Sequence, residues 1–220
     1  MPQQSHFHRR GPWTRLGTGL YAITDGPRAD LLPGARAALE GGATMLQYRD
    51  KTHDADRRLR EARALAALCT EFGAPLIVND DVELALACGA AGVHLGEGDA
   101  GTADARLALG DGAIIGVSCY DSLQRARDAA HAGADYLAFG AFFPSSTKPG
   151  ARHATADLLR DARKFGLPLV AIGGITAENG GSLIAAGADY LAVISALFGA
   201  SDVRAAARRF ATLFAPGEKA

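Results

Sequence analysis

The sequence is short of cysteine, short of lysine and without long apolar runs, and each shortage removes a class of protein. Cys69, Cys88 and Cys119 are the only thiols among 220 residues. They form no C-x-x-C pair, so neither a disulfide framework nor a cysteine-built zinc site is expected, and a reducing cytosol is the expected setting. No apolar run approaches the ~18–20 residues a membrane helix requires. The first ten residues are polar, with two His and two Arg. They lack the apolar centre of a secretion signal. Basic and acidic residues balance at 23 and 24, a formal net charge of −1. No overall basic field is therefore present to hold nucleic acid or an anionic membrane. Lysine occurs only as Lys51, Lys148, Lys164 and Lys219, since the chain otherwise uses arginine for positive charge. A lysine at an unusual place therefore raises a functional question.

What is present is an alternation. Short aliphatic runs at 20–24, 44–48, 76–78, 92–95, 114–117, 136–139, 169–172 and 190–194 have the unbroken apolar character of strands buried on both faces. Helical patterns separate them, at 31–40, 55–72, 82–87, 103–109, 123–132, 155–165, 178–186 and 203–214. In the second, Leu59, Ala62, Ala66 and Cys69 recur at three- and four-residue spacing, one face of a helix. Eight strand–helix units in one chain of this length predict a single α/β domain folded as a (β/α)8 TIM barrel, with a doubly wound open sheet as the alternative. An internal echo favours closure. Gly42-Ala43, Gly89-Ala90, Gly133-Ala134-Asp135-Tyr136 and Gly187-Ala188-Asp189-Tyr190 each lead into an even-numbered strand. Each glycine is expected to end the preceding helix in a left-handed cap. The barrel is expected over residues 13–215, with flexible tails at 1–12 and 216–220. The alanine-rich last helix, with Phe210 and Phe214, leaves open whether it packs a second copy or this barrel.

In such a barrel the chemistry collects where the strands end. Strand 2 ends in Gln47-Tyr48-Arg49-Asp50-Lys51, and alternation sets Gln47, Arg49 and Lys51 on one side. A guanidinium and an ammonium so placed suit a phosphate or diphosphate, although a solvated charged loop is the plainer reading of such a pair. Strand 3 ends in Asn79-Asp80-Asp81, and strand 4 in His94-Leu95-Gly96-Glu97-Gly98-Asp99. Asp80 and Asp99 come from adjacent strand ends and suit Mg²⁺ shared with phosphate oxygens. Asp81 is expected to cap the next helix, and His94 to be a packing or supporting residue. Ser118 ends strand 5, where it could meet a ligand or merely start a turn; Cys119 has no activating partner. After strand 6 comes Phe142-Phe143-Pro144-Ser145-Ser146-Thr147-Lys148, a loop able to cover a ring and hold phosphate oxygens. Gly173-Gly174 after strand 7 and Ile194-Ser195 after strand 8 occupy the common phosphate position of this barrel. The sum is two anionic ligands at one rim, one of them a metal-bound diphosphate whose departure drives substitution at carbon.

In order and spacing these strings resemble the thiamine-phosphate synthase family: Leu20-Tyr21-Ala22-Ile23-Thr24-Asp25, Gln47-x-Arg49-x-Lys51, Ile77-Val78-Asn79-Asp80, Gly92-Val93-His94-Leu95-Gly96 with Asp99, Gly116-Val117-Ser118, Thr147-Lys148-Pro149 and Ala171-Ile172-Gly173-Gly174-Ile175. The resemblance runs from about Leu20 to Phe198. It implies a cytoplasmic transferase that joins 4-amino-2-methyl-5-hydroxymethylpyrimidine diphosphate to a thiazole phosphate, releasing diphosphate. By that resemblance Gln47, Arg49, Lys51, Asn79, Ser118 and Lys148 bind the pyrimidine diphosphate, and Arg49, Lys51, Ser118 and Lys148 assist the reaction. Ser145, Ser146, Thr147, Gly174, Ile194 and Ser195 bind the thiazole phosphate, and Asp80 and Asp99 hold Mg²⁺, one per subunit. Ser145-Ser146 depart from the threonines the family often has, but the hydroxyl is retained. Three alternatives differ in what they require. A thiazole tautomerase needs a histidine acid/base and no diphosphate; a Schiff-base aldolase needs a buried lysine within a strand; an inert phosphate-binding barrel forms no product.

Overall fold

In a computed structural model, residues 17–144 and 153–215 are described. The expected tails at 1–12 and 216–220, and the loop positions Ser145, Ser146, Thr147 and Lys148, lie outside them. The eight runs are eight strands: β1 (Gly19–Ile23), β2 (Ala43–Tyr48), β3 (Leu76–Asn79), β4 (Gly92–Leu95), β5 (Ile114–Tyr120), β6 (Tyr136–Phe139), β7 (Leu169–Ile172) and β8 (Tyr190–Val193). Each pairs in parallel with the next, and β1 pairs with β8, so the sheet closes as a (β/α)8 barrel and the open-sheet alternative is excluded.

The helices among the described residues are α1 (Leu31–Glu40), α2 (Ala55–Phe72), α3 (Val82–Cys88), α4 (Thr102–Leu109), α5 (Leu123–His131), α6 (Ala156–Ala162), α7 (Gly180–Ala185), α8 (Ser195–Phe198) and α9 (Val203–Thr212). Their starts follow from side-chain caps: Asp54, Asp81, Ser122 and Asp202 accept from backbone N–H groups three residues ahead. The Asp81 expectation therefore holds. Several boundaries moved. The stretch at 155–165 divides into α6 and a 3-10 turn, Arg163–Phe165, closed by Gly166 in the left-handed region. The stretch at 178–186 starts late, because Asn179 first folds back, accepting from Thr176 N–H and donating to Gly174 O. α8 was not anticipated from the pattern. The repeated glycines also differ in detail. Gly89 is itself a left-handed cap, whereas Gly42, Gly133 and Gly187 stand one residue past theirs, at φ 101, 90 and 111°.

Side chains divide by the pleat. The outer faces of most strands pack against the helices in one large apolar layer, and Val93, Leu95 and Ile115 form a smaller cluster with Ala105 of α4; Tyr21, Ile23, Met45, Ile77, Ile114, Tyr136, Val170 and Tyr190 fill the barrel interior. Gly116 is required there, because a Cβ on it would stand 1.9 Å from Tyr136 Cζ. The open question about the last helix is answered within the chain: Ala207 and Phe210 of α9 are buried in its own core. No helix among the described residues is long and apolar enough to cross a membrane.

Candidate active site

At one rim, the carboxyl ends of β2 to β5 carry seven of the ten expected groups that lie among the described residues. β2 leads into a braced loop. Thr24, fully buried at the end of β1, accepts from Arg49 N–H at 2.9 Å and ties the two strand ends together. Asp50 turns inward from the loop. Its buried carboxylate accepts from Thr52 N–H at 2.8 Å and stands 2.7 Å from Arg57 on α2. Arg57 also reaches Glu61, which accepts from Tyr48 O–H at 2.7 Å. Burial raises the Asp50 pKa, but Arg57 and Thr52 outweigh it and hold the carboxyl below its ordinary value. This brace escaped the sequence reading, because Asp50 looked like one more charge in a polar loop. It fixes the chain on either side of Arg49 and Lys51.

Lys51 then reaches across to β3, with Nζ 3.2 Å from Asp80 Oδ2. Asp80 sits at φ 63°, and its N–H donates to His94 O at 2.8 Å. That local twist brings its carboxyl into contact with Asp99, whose Oδ2 accepts from Gly96 N–H. Burial first, then the Asp80 carboxyl, push the Asp99 carboxyl up in pKa, against the smaller pull of Gly96 N–H and Lys51. Two carboxyls in contact form a hard-oxygen pair suited to a divalent cation. The donor set fits Mg²⁺. Among the described residues no group of three or more His, Cys, Asp or Glu could hold a metal, so further ligands would come from water and substrate. A cavity of about 640 Å³ opens beside these groups, lined by Lys51, Asn79 and Asp80 together with Leu86, Ala105 and Ala108.

β5 runs past its expected end to Tyr120. The register jumps between Ser118 and Tyr120, so Cys119 is an extra residue relative to β6. Cys119 is fully buried, and burial pushes its thiol up to about 12, which agrees with the absence of an activated cysteine. The bulge is held by Arg125, whose side chain donates to Ser118 O and Gly96 O. Ser118 Oγ lies 2.8 Å from His94 Nε2. From there polar contacts cross the barrel: His94 Nδ1 lies 2.9 Å from Tyr136 Oη, which lies 2.9 Å from Tyr21 Oη. Gln47 Nε2 donates to Tyr21 Oη at 2.7 Å. Sequence reasoning did not find Tyr21 or Tyr136. The available signal was a tyrosine at an inward position of an apolar barrel strand, where its hydroxyl must find a partner.

On the other side of the same rim, Phe142 and Phe143 donate backbone bonds to Ile172 O and Gly173 O, and Ala154 N–H closes the stem on Ala141 O. The two ends of the β6–α6 loop are thereby seated beside β7. Gly174, at φ 62°, admits this packing, since a Cβ on it would stand 2.5 Å from Pro144 O. The turn and the loop contact therefore explain the glycine pair before any ligand does. Ile194 and the exposed Ser195 stand at the neighbouring end of β8, where α8 begins.

This geometry has close relatives. A family model described as thiamine monophosphate synthase matches residues 20–197. The chain belongs to the thiamine monophosphate synthase family. A thiamine-phosphate synthase of Marinobacter nauticus is 52% identical over 207 residues, 92% of this chain and 93% of the relative. Another of that name from Chromobacterium violaceum is 57% identical over 198 residues, 89% of this chain and 96% of the relative. Among solved structures, the thiamine phosphate pyrophosphorylase of Pyrococcus furiosus superposes with a TM-score of 0.81 at 38% identity, covering 89% of this chain and 95% of that one. For this family member the expected α/β barrel, the resemblance and the transferase class all stand. The likeness to 3-hexulose-6-phosphate synthase, at 19% identity and a TM-score of 0.68, reflects the fold alone.

Proposed function

We propose that this barrel is a thiamine-phosphate synthase whose two substrates meet at the rim just described. The observation that carries the reading is the convergence of Lys51, Asp80 and Asp99 from three successive strand ends. The pyrimidine diphosphate binds over β2 to β5. Gln47, Asn79 and Ser118 hold the ring, and Arg49, Lys51 and Lys148 hold the diphosphate. Asp80 and Asp99 would hold Mg²⁺, one per subunit, which would supply positive charge to the diphosphate oxygens. The thiazole phosphate binds at Ser145, Ser146, Thr147, Gly174, Ile194 and Ser195.

The bond from the pyrimidine methylene carbon to the diphosphate oxygen breaks, and its electron pair leaves with the oxygen. Arg49, Lys51 and Lys148 stabilise the charge that grows there. The thiazole nitrogen then gives its lone pair to the methylene carbon, and thiamine phosphate and diphosphate are the products. No protein nucleophile takes part, which accords with the inert Cys119. Both partners are small phosphorylated molecules, and the cytoplasm is the compartment this chemistry suits.

The test mixes the purified chain with both substrates and Mg²⁺ and follows thiamine phosphate by chromatography. Product should form, EDTA should abolish it, and added Mg²⁺ should restore it. Full turnover in EDTA would remove the carboxylate–metal reading; turnover of the thiazole phosphate alone, without diphosphate, would favour an isomerase.

A further inference from the structure

Ser118 and Gln47 stand on opposite walls of the barrel, joined by three buried side chains. We propose that Tyr136, together with Tyr21 and His94, is a positioning relay that locks the donor–acceptor polarity of Ser118 to that of Gln47. The pyrimidine edge is thereby read with one hydrogen-bond pattern. This inference rests on the pyrimidine-diphosphate reading of the site and deepens it.

The polarity follows from the number of hydrogens each group carries. A tyrosine hydroxyl gives one hydrogen, and a neutral imidazole gives one and accepts one. Gln47 Nε2 donates to Tyr21, whose own hydrogen then goes to Tyr136, its other hydroxyl neighbour. Tyr136 has accepted, so it donates to His94 Nδ1; His94 is then protonated on Nε2 and donates to Ser118 Oγ. Ser118 is left with its own hydrogen to give a ligand acceptor, such as a pyrimidine ring nitrogen. Reversing any single link strands a hydrogen inside the barrel, where an unmade hydrogen bond is costly. With a neutral His94, only reversal of the whole chain, with the Gln47 amide turned over, satisfies every group. The two ends therefore change together or not at all. Burial pushes the hydroxyl pKa values of Tyr21 and Tyr136 up, so both remain neutral links. The Tyr136 ring itself is seated in the space left by Gly116.

Tyr136→Phe keeps the ring and cuts the relay. Calorimetry without the thiazole measures dissociation constants for the 4-amino pyrimidine diphosphate and for its 4-oxo analogue, whose edge has the opposite pattern. The parent should prefer the amino form. In Tyr136→Phe that preference should shrink by about tenfold or more, the scale of one polar group read or left unpaired. Tyr21→Phe, which cuts the next link, should shrink it equally, and the double variant no further. It also serves if Tyr136→Phe does not fold. A purely structural role would weaken both ligands by one factor and leave their ratio unchanged, and that result overturns the relay. A parent that binds neither pyrimidine diphosphate overturns the functional reading instead.

Discussion

Asp80 shows how one residue joins backbone geometry to chemistry. Its φ of 63° lies in the left-handed region, which costs an alanine more than an aspartate or asparagine. Asp80→Asn therefore separates the charge from the conformation. It removes one of two adjoining carboxylates and the partner of Lys51 while the turn survives. We expect thiamine phosphate formation to fall by about tenfold or more, the scale of one lost transition-state interaction. The thermal unfolding midpoint should stay near that of the parent. Steady-state rates at saturating Mg²⁺, with a melting curve, check both halves, and an unchanged rate would remove Asp80 from the metal site. The residue types here were legible in the sequence: alternation placed Gln47, Arg49 and Lys51, and adjacency of strand ends placed Asp80 with Asp99. The positive φ was not, because a left-handed aspartate is written by its surroundings.

At the scale of the element, the loop after β2 carries cations toward the rim and is kept in shape by the buried Asp50 carboxylate. Its pKa lies below the ordinary 3.8. A group depressed in the folded state contributes stability that is fully present above its unfolded value and is lost as pH falls through the folded one. The parent should therefore lose stability progressively below about pH 4. Asp50→Asn should lower the melting temperature at pH 7 and flatten that acid limb, as melts from pH 3 to 7 would show. Equal acid sensitivity in parent and variant would mean that other carboxylates set the slope. Helix starts were readable because Asp54, Asp81 and Asp202 cap locally. The late start of α7 and the bulge in β5 were not readable. The first depends on Asn179 reaching Gly174 O, and the second on β6 imposing its register.

For the whole molecule the decisive fact is closure. The repeated Ala-Asp-Tyr string does similar work in two places: Asp135 accepts from Ile115 N–H at 2.6 Å, and Asp189 accepts from Leu169 N–H at 2.8 Å. Each acid, standing just before its own strand, stitches it to the N-terminal end of a neighbouring one. Asp135 also pairs with Arg106 at 2.7 Å, with a side chain only 2% exposed. Its place is the end of the barrel opposite the rim. Asp135→Ala should therefore cost about 3 kcal/mol of folding stability, the scale of a buried pair broken on one side. The rate per folded molecule should be preserved. Denaturant titration beside an activity assay checks this, and a variant with normal stability would show that Arg106 and Ile115 N–H find other partners.

The sequence by itself determined the strand–helix alternation, the number of units and the polar residues that close each strand. Those depend on periodicity and local capping, which act over a few neighbours. Only the tertiary structure decided that Lys51, Asp80 and Asp99 touch, that Asp50 is a buried brace, and that Tyr21, Tyr136 and His94 join the two walls. Such contacts exist only after the sheet has closed. Closure removes water from groups far apart in the chain, and each must then find its hydrogen-bond partner across the barrel.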